Sequence, residues 1–336
     1  MDINELGALE PLERDVSARE YFRGNNSILM SYPDINDDNR AELLEFIRIG
    51  AWLSDNGIKV PELYDLDEAK CMARFEDLGR VSFGSLLREN PNKQKALYIL
   101  ATDLLKKLAV IGAPENLPAY NDSNIHKGRT QIIDYYFPVA KTLSSRTHVR
   151  DLKISPFNVR DDMAGYLNAW QEIENSLPPC PKGFIHGDYH LENLMYVDGS
   201  CALIDYQDAL YGALPYDLVN LLEDARVDIP ATLRKDMIDR YCADMSAYDK
   251  DIFLKWYRVL GTQFHCRVLG LFIKLSAEQG RDDYLIHTPR LQNYISSALN
   301  NPLLLPLKSW FEKQGVDFVP IKDLNGAMVR ARIMTL

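Results

Sequence analysis

The 336-residue sequence is sparing with cysteine and uses it without pattern. Cys71, Cys180, Cys201, Cys242 and Cys266 are odd in number and none falls in a CxxC spacing. This disfavours both a disulfide framework and a zinc site and leaves buried free thiols as the expectation. Long hydrophobic runs are missing as well. Nowhere do 18 or so apolar residues follow one another, and the opening MDINELGALEPLERD is acidic, without the basic start and apolar core of a secretory signal. No membrane partner and a cytoplasmic setting are expected. Positive charge is also short: 38 Lys and Arg face 48 Asp and Glu, for a formal net charge of -10. Nucleic acid and anionic lipid would be repelled at long range, which leaves small ligands open as partners; a monomer is expected, although the sequence does not fix the oligomeric state. Low-complexity tracts are absent, so the whole chain should fold. Its length exceeds the roughly 250 to 300 residues at which a single core saturates, which points to two lobes.

What is present changes character along the chain. From Pro11 to Arg80 the patterns are short and strand-rich: EYFRG, then SILMSY after an Asn25-Asn26 turn signal, then KVPELYDL and KCMARFEDL as neighbouring strands. Between them DDNRAELLEFIRIGAWLSDNG reads as a helix, with apolar Leu43, Leu44, Ile47 and Leu53, a cap at Asp37 or Asp38, and Gly57 past its end. After Gly79 helices take over, in VSFGSLLREN, QKALYILATDLLKKLAVIG, MAGYLNAWQEIENSL and a set from Pro230 to about Leu307. One strand-rich island interrupts them, with LMYV and CALI joined by the hairpin signal Asp198-Gly199. The expected architecture is α+β and bilobal: a small sheet-rich lobe over 1–80 with its hinge at 76–80, and a larger helical lobe over 81–336. The stretch from about Asp317 onward carries no motif.

The island holds the strongest chemical signal. His186-Gly187-Asp188-Tyr189-His190-Leu191-Glu192-Asn193 is followed twelve residues later by Asp205, at the end of an apolar strand. H-x-D-x4-N, then a hairpin, then an aspartate is a kinase-type arrangement. An acceptor hydroxyl must lose its proton during in-line attack, which suits Asp188 as base. Magnesium prefers oxygen ligands and keeps waters and phosphate oxygens, so an amide and a carboxylate, Asn193 and Asp205, suffice from the protein. Isolated Asp and Asn residues also cap turns, but the second aspartate on a matching hairpin weighs against coincidence. Reading His186, Asp188 and His190 as metallohydrolase ligands fails on the remaining histidines, His126, His148, His265 and His287, none of which lies in a paired motif.

HGDYHLENLMY with ALIDYQDALYGALPYDLVNLL resembles the aminoglycoside phosphotransferase and choline kinase superfamily, relatives of protein kinases with a bilobal kinase-like fold. SAREYFR, ILMSYPD, FEDLG, GTQFHCRVLGLFIKLSAEQG and YLIHTPRL are closer still to the cell-wall-recycling kinases that phosphorylate the anomeric hydroxyl of N-acetylmuramate and N-acetylglucosamine. The similarity runs over roughly residues 12 to 310. It implies ATP as co-substrate, Mg2+ as cofactor and a small sugar as acceptor. It further implies that Glu76, Asp77 and Leu78 contact adenine, that His186 and Asp217 brace the catalytic loop, and that His190, Gln207, Asp208 and Arg267 border the acceptor.

Two departures from the kinase pattern shape the expectations. SAREYFR contains no glycine and SILMSYP no lysine, so the Gly-rich loop and the strand lysine that grip phosphates are both missing. Arg19 or Arg23 is expected to take over that charge, with Glu42 or Glu45 as the carboxylate on the small-lobe helix. On the late helix, Gln263, Arg267 and Lys274 form a polar stripe that could line the acceptor pocket or face solvent. An aminoglycoside or choline acceptor stays open. So does a catalytically silent nucleotide-binding scaffold. A protein substrate is disfavoured, because only eleven residues separate Asp205 from Asp217.

Overall fold

A computed structural model describes residues 9–12, 19–144 and 163–333. Strands β1 (Glu10–Pro11), β2 (Glu20–Gly24) and β3 (Ser27–Ser31) precede helix α1 (Asp37–Asp55), then β4 (Leu63–Asp67) and β5 (Met72–Glu76), then α2 (Phe83–Glu89) and α3 (Gln94–Ile111). A single turn α4 (Asn124–Lys127), α5 (Phe137–Ser144) and α6 (Met163–Asn175) lead to β6 (Lys182–Ile185), β7 (Leu194–Val197), β8 (Ser200–Leu203) and β9 (Leu210–Ala213). Helices α7 (Pro215–Leu222), α8 (Ala231–Tyr241), α9 (Ala247–Gln279), α10 (Thr288–Ala298), α11 (Leu305–Lys313) and α12 (Gly326–Ile333) follow. The composition is the α+β one expected.

Two compact units divide the chain. The first takes in Met1–Leu117, Gly183–Tyr211 and Asp239–Tyr241; the second takes in Pro118–Lys182, Gly212–Ile238 and Cys242–Leu336. The first unit thus extends past residue 80, where the composition changes, and includes α2, α3 and the catalytic island. The reason is pairing across the sequence: Val81 C=O accepts from Tyr196 N–H at 2.9 Å, and Lys59 C=O accepts from Leu203 N–H at 2.8 Å.

In the first unit five antiparallel strands lie in the order β1-β2-β3-β5-β4. Asn25 and Asn26 both take positive φ (37° and 58°), and Gly24 pairs directly with Ser27, so β2 and β3 close in a two-residue turn that suits asparagine. The α1 cap is one residue earlier than expected: the Asn36 side chain accepts from Asn39 N–H, which leaves Asp37 and Asp38 in the first turn, where the helix dipole favours acids. The buried face of α1 also differs from the expected one. It consists of Leu43, Phe46, Ile49, Gly50 and Leu53, whereas Leu44 is exposed and Ile47 only half-buried. Gly50 is a core position with no apolar side chain to mark it in the sequence.

The second unit is built around the 33-residue α9. Its core gathers Phe137, Tyr166, Trp170, Leu269, Trp310 and Phe311. The segment that follows α11, without a motif, is part of this core. Phe318 stacks on Tyr136 (centroids 5.6 Å apart, planes at 9°), Gln292 Nε2 donates to Val319 C=O, and Arg330 pairs with Asp282 at 2.9 Å. Among the described residues no helix is long and apolar enough to cross a membrane.

Candidate active site

The catalytic loop leaves β6 and is pinned from below before it reaches solvent. His186 is fully buried; its Nε2 donates to Ile204 C=O at 2.9 Å and its Nδ1 accepts from Asp188 N–H at 3.3 Å. This bond pattern requires the Nε2–H tautomer and ties the loop to the strand end that carries Asp205. Tyr189 points the other way and donates from its hydroxyl to Ala101 C=O in α3 at 2.9 Å. Between the two anchors the Asp188 carboxylate is 62% exposed, so the group expected as base faces outward.

His190 and Asn193 hold that carboxylate. His190 Nε2 lies 3.1 Å from Asp188 Oδ2, and its Nδ1 accepts from Glu192 N–H at 3.3 Å. His190, expected at the acceptor, is thus in contact with the Asp188 carboxylate. Asn193 Nδ2 donates to Asp188 C=O at 3.0 Å and to Oδ2 at 3.3 Å, which turns the amide oxygen away from the carboxylate. The β7–β8 hairpin then fixes where Asp205 falls. Asp198 and Gly199 take positive φ in the turn, Leu194 pairs with Leu203, and Ile204 N–H donates to Asn193 C=O at 3.1 Å. Asn193 and Asp205 consequently emerge from the same open end of the hairpin. Asp205 has φ 61° and ψ 38°, a left-handed conformation that costs a non-glycine residue of order 1 kcal/mol. Gln207 Nε2 bridges Asp205 Oδ1 (2.9 Å) and Asp208 Oδ2 (3.1 Å). A carboxylate and an amide oxygen at one edge form a hard-oxygen pair of the kind Mg2+ takes when phosphates and waters supply the rest. Among the described residues no group of three or more His, Cys, Asp or Glu could hold a metal by itself.

Two residues that the motif did not single out keep this edge in place. Glu192 accepts from Ser82 Oγ at 2.7 Å, at the N-cap of α2, and is paired with Arg88 in its last turn, which clamps the loop along that helix. Burial would raise its pKa, but the Arg88 and Ser82 hydrogen bonds outweigh that and hold the carboxyl below the usual range. A Cβ at Gly84 would lie 2.1 Å from Glu192 Oε1, so only glycine admits the clamp. The second residue is Tyr206, next to Asp205. Its ring stacks on Phe46 of α1 (4.5 Å, 11°), and a Cβ at Gly50 would lie 2.5 Å from its hydroxyl.

Of the two arginines expected to neutralise phosphates, Arg23 spends its fork elsewhere. Its Nε and Nη2 reach Asp77 Oδ2 and Oδ1 at 2.6 and 2.9 Å, and Nη2 also reaches Gly79 C=O at 2.7 Å. It ties β2 to the connection that follows β5. Burial acts to raise the Asp77 pKa, yet the Arg23 and Gly79 N–H hydrogen bonds bring it below the normal carboxylate range. Glu76 is held by Lys59 (2.7 Å), and Leu78 lies in the same short connection. Arg19, only 7% exposed, meets α1 instead: its Nε lies 3.6 Å from Glu42 Oε1. Burial would lower its pKa, but interactions with Tyr21, Tyr32, Asp205 and Glu42 together raise it and keep it charged. Glu45, the other candidate partner, is taken by Arg48 at 2.6 Å.

Asp217 and Arg267 belong to the second unit. Asp217 sits in the first turn of α7, 2% exposed. Arg267 Nη2 donates to Tyr216 Oη at 3.1 Å, and Gln263 Nε2 donates to Glu174 at 2.6 Å. Lys274 leaves the expected stripe and lies 3.9 Å from Glu278, over the Tyr135 ring.

An antiparallel sheet with one helix, a loop that carries Asp188 and Asn193, and a hairpin ending in Asp205 define a kinase-like phosphotransferase fold. The profile of the phosphotransferase enzyme family (APH) matches residues 8–250, and the chain belongs to that family. It is 28% identical over 297 residues to an N-acetylmuramate/N-acetylglucosamine kinase of Caulobacter vibrioides, covering 82% of this chain and 75% of the relative. To the protein of the same name in Neisseria meningitidis it is 26% identical, covering 84% and 82%. Among solved structures, a choline/ethanolamine kinase family protein of Mesorhizobium loti superposes with TM-score 0.55 at 16% identity, covering 97% of this chain and 93% of the other. An ADP-bound aminoglycoside phosphotransferase gives TM-score 0.54 at 12% identity, covering 88% and 94%.

Proposed function

We propose that the protein is an ATP-dependent sugar kinase that phosphorylates the anomeric hydroxyl of N-acetylmuramate and N-acetylglucosamine. The observation that carries the reading is the convergence of Asp188, Asn193 and Asp205 on one end of a hairpin, in a chain whose relatives bear that name. The same reading assigns nucleotide binding to residues within 1–80 and acceptor binding to residues within 81–336, in a monomeric cytoplasmic enzyme of cell-wall recycling.

The sugar O–H proton passes to the Asp188 carboxylate as the oxygen attacks the γ-phosphorus. The new O–P bond forms while the bond to the β-phosphate oxygen breaks, and ADP leaves. His190 orients the carboxylate through its 3.1 Å contact, and the Asn193 amide keeps it in register. Asn193 and Asp205 are the residues that would hold Mg2+, which supplies charge neutralisation on the phosphate oxygens when bound. Arg19, held between Glu42 and the Asp205 edge, adds the positive charge that a strand lysine supplies in other kinases.

The test is MgATP-dependent phosphorylation of N-acetylmuramate, N-acetylglucosamine, kanamycin and choline, with phosphorus NMR to locate the product. Anomeric phosphate on the amino sugars is expected, and Asp188→Asn should lower turnover by roughly 10²- to 10⁴-fold with ATP binding retained. Transfer to kanamycin or choline alone would replace the acceptor assignment. Nucleotide binding without any transfer would favour a silent scaffold.

A further inference from the structure

Glu192 joins α2 to the catalytic loop by both its side chain and its main chain, and both partners lie in the first unit. Ser82 Oγ donates to Glu192 Oε2 at 2.7 Å, and Arg88 pairs with Oε1. The same Ser82 oxygen accepts from Ser85 N–H at 2.9 Å, so the hydroxyl that caps α2 also fixes the carboxylate. Gly84 supplies the space, since a Cβ there would fall on the Glu192 carboxyl group. From the main chain, Glu192 N–H donates to His190 Nδ1 at 3.3 Å, and His190 Nε2 lies 3.1 Å from Asp188 Oδ2.

These contacts select one tautomer of His190. With Nδ1 accepting, the ring proton sits on Nε2 and is donated to the Asp188 carboxylate. The other tautomer would set an N–H against the Glu192 N–H and a lone pair against a carboxylate oxygen. The Asn193 amide nitrogen, 3.5 Å from Nε2, already donates to Asp188 and does not reverse the choice. We infer that Glu192 is a positioning residue for phosphoryl transfer: anchored on α2 through its side chain, it uses its main-chain N–H to hold His190 in the tautomer that orients Asp188. The inference rests on the reading of Asp188 as base. Supporting hydrogen bonds of this kind keep a reacting group within roughly 0.5 Å of its working position, so their loss falls on kcat rather than on substrate binding.

The test pairs kinetics with nitrogen-15 NMR of the histidine side chains. In MgATP-dependent phosphorylation of N-acetylglucosamine, Glu192→Ala should lower kcat roughly 10- to 100-fold with both KM values nearly unchanged. Glu192→Gln, which can still accept from Ser82 and Arg88, should recover most of the rate. Because Glu192 acts through His190, adding Glu192→Ala to His190→Ala should cost little more than His190→Ala alone. The NMR measurement needs no turnover: parent His190, located by its loss in His190→Ala, should be protonated at Nε2, and Glu192→Ala should show a mixture of tautomers. If Glu192→Ala folds poorly, Arg88→Ala carries the same comparison with a smaller loss. An unchanged kcat, additive losses in the double variant, or a parent His190 protonated at Nδ1 would overturn the proposal. A parent that phosphorylates no sugar while His190 keeps its Nε2–H would sink the sugar-kinase reading, and the catalytic role of Glu192 with it, yet leave the hydrogen-bond chain standing.

Discussion

Gly50→Ala is the sharpest probe of how α1 governs the position of Asp205. The added methyl would start 2.5 Å from Tyr206 Oη and 3.2 to 3.3 Å from two ring carbons. The ring cannot swing aside, because Phe46 stacks on it and Tyr206 is 1% exposed. To reach ordinary contact it must retreat by about 1 Å, and Asp205 is its covalent neighbour. Two energies compete. Alanine in a helix interior gains about 1 kcal/mol over glycine, whereas overpacking a filled core costs about 1 to 3 kcal/mol. Stability should therefore fall by no more than about 2 kcal/mol. Turnover should respond far more, since a 1 Å misplacement of a reacting group costs on the order of 10²-fold. Thermal unfolding paired with steady-state kinetics separates the two effects. Removing the clashing oxygen in Gly50→Ala/Tyr206→Phe should recover part of the lost kcat. A single variant within twofold of the parent rate, or a double variant with no recovery, would refute the argument that α1 positions Asp205 through Tyr206.

Arg19→Ala should reduce kcat/KM by roughly 10²- to 10³-fold with the fold retained, whereas Arg23→Ala should cost about 1 to 2 kcal/mol of stability and less than about tenfold in rate; equal rate losses would mean Arg19 has no special place. His265 is fully buried against Glu223, stacked on Tyr294 at 4.6 Å; burial first drives its pKa down to about 4 from 6.5. The unfolded chain then binds the extra proton between those values, so stability is complete above about pH 6.5 and is lost as pH falls toward 4, by about 2 kcal/mol at pH 5. Urea unfolding of the parent and of His265→Gln at pH 7 and 5 should show a flatter pH response in the variant. Phe318→Ala should destabilise by about 3 to 5 kcal/mol in the same assay, since the ring is 4% exposed and lies against both Tyr136 and Phe311.

Local signals in the sequence predicted local structure well. Asn25-Asn26 and Asp198-Gly199 announced their turns because positive φ has few tolerant residues, and the D-x4-N spacing brought the loop residues together as expected. What stayed hidden depends on contacts distant in sequence. Nothing local distinguishes Glu42 from Glu45, one of which meets Arg19 while the other meets Arg48. Arg23 and Arg19 look alike until Asp77 claims the first. Glu192 reads as an ordinary loop acid, yet Ser82 and Gly84 make it the clamp of the catalytic loop. Glycines at close approaches, Gly50 and Gly84, leave no hydrophobic signature at all. The motif-free stretch near Asp317 proved to be core because single buried residues such as Val316, Phe318 and Val329 have no periodicity to detect.

That last segment imposes an order on biogenesis. Residues 316–333 are synthesised after every element they pack on, from Tyr136 and Val139 to Gln292 and Phe311. On the ribosome, Asp188, Asn193, Asp205 and the hairpin between them are available early, while the unit around α9 waits with an open apolar seam until residues 316–333 arrive. A chain halted within that interval would carry a complete catalytic motif and still be a client for chaperones.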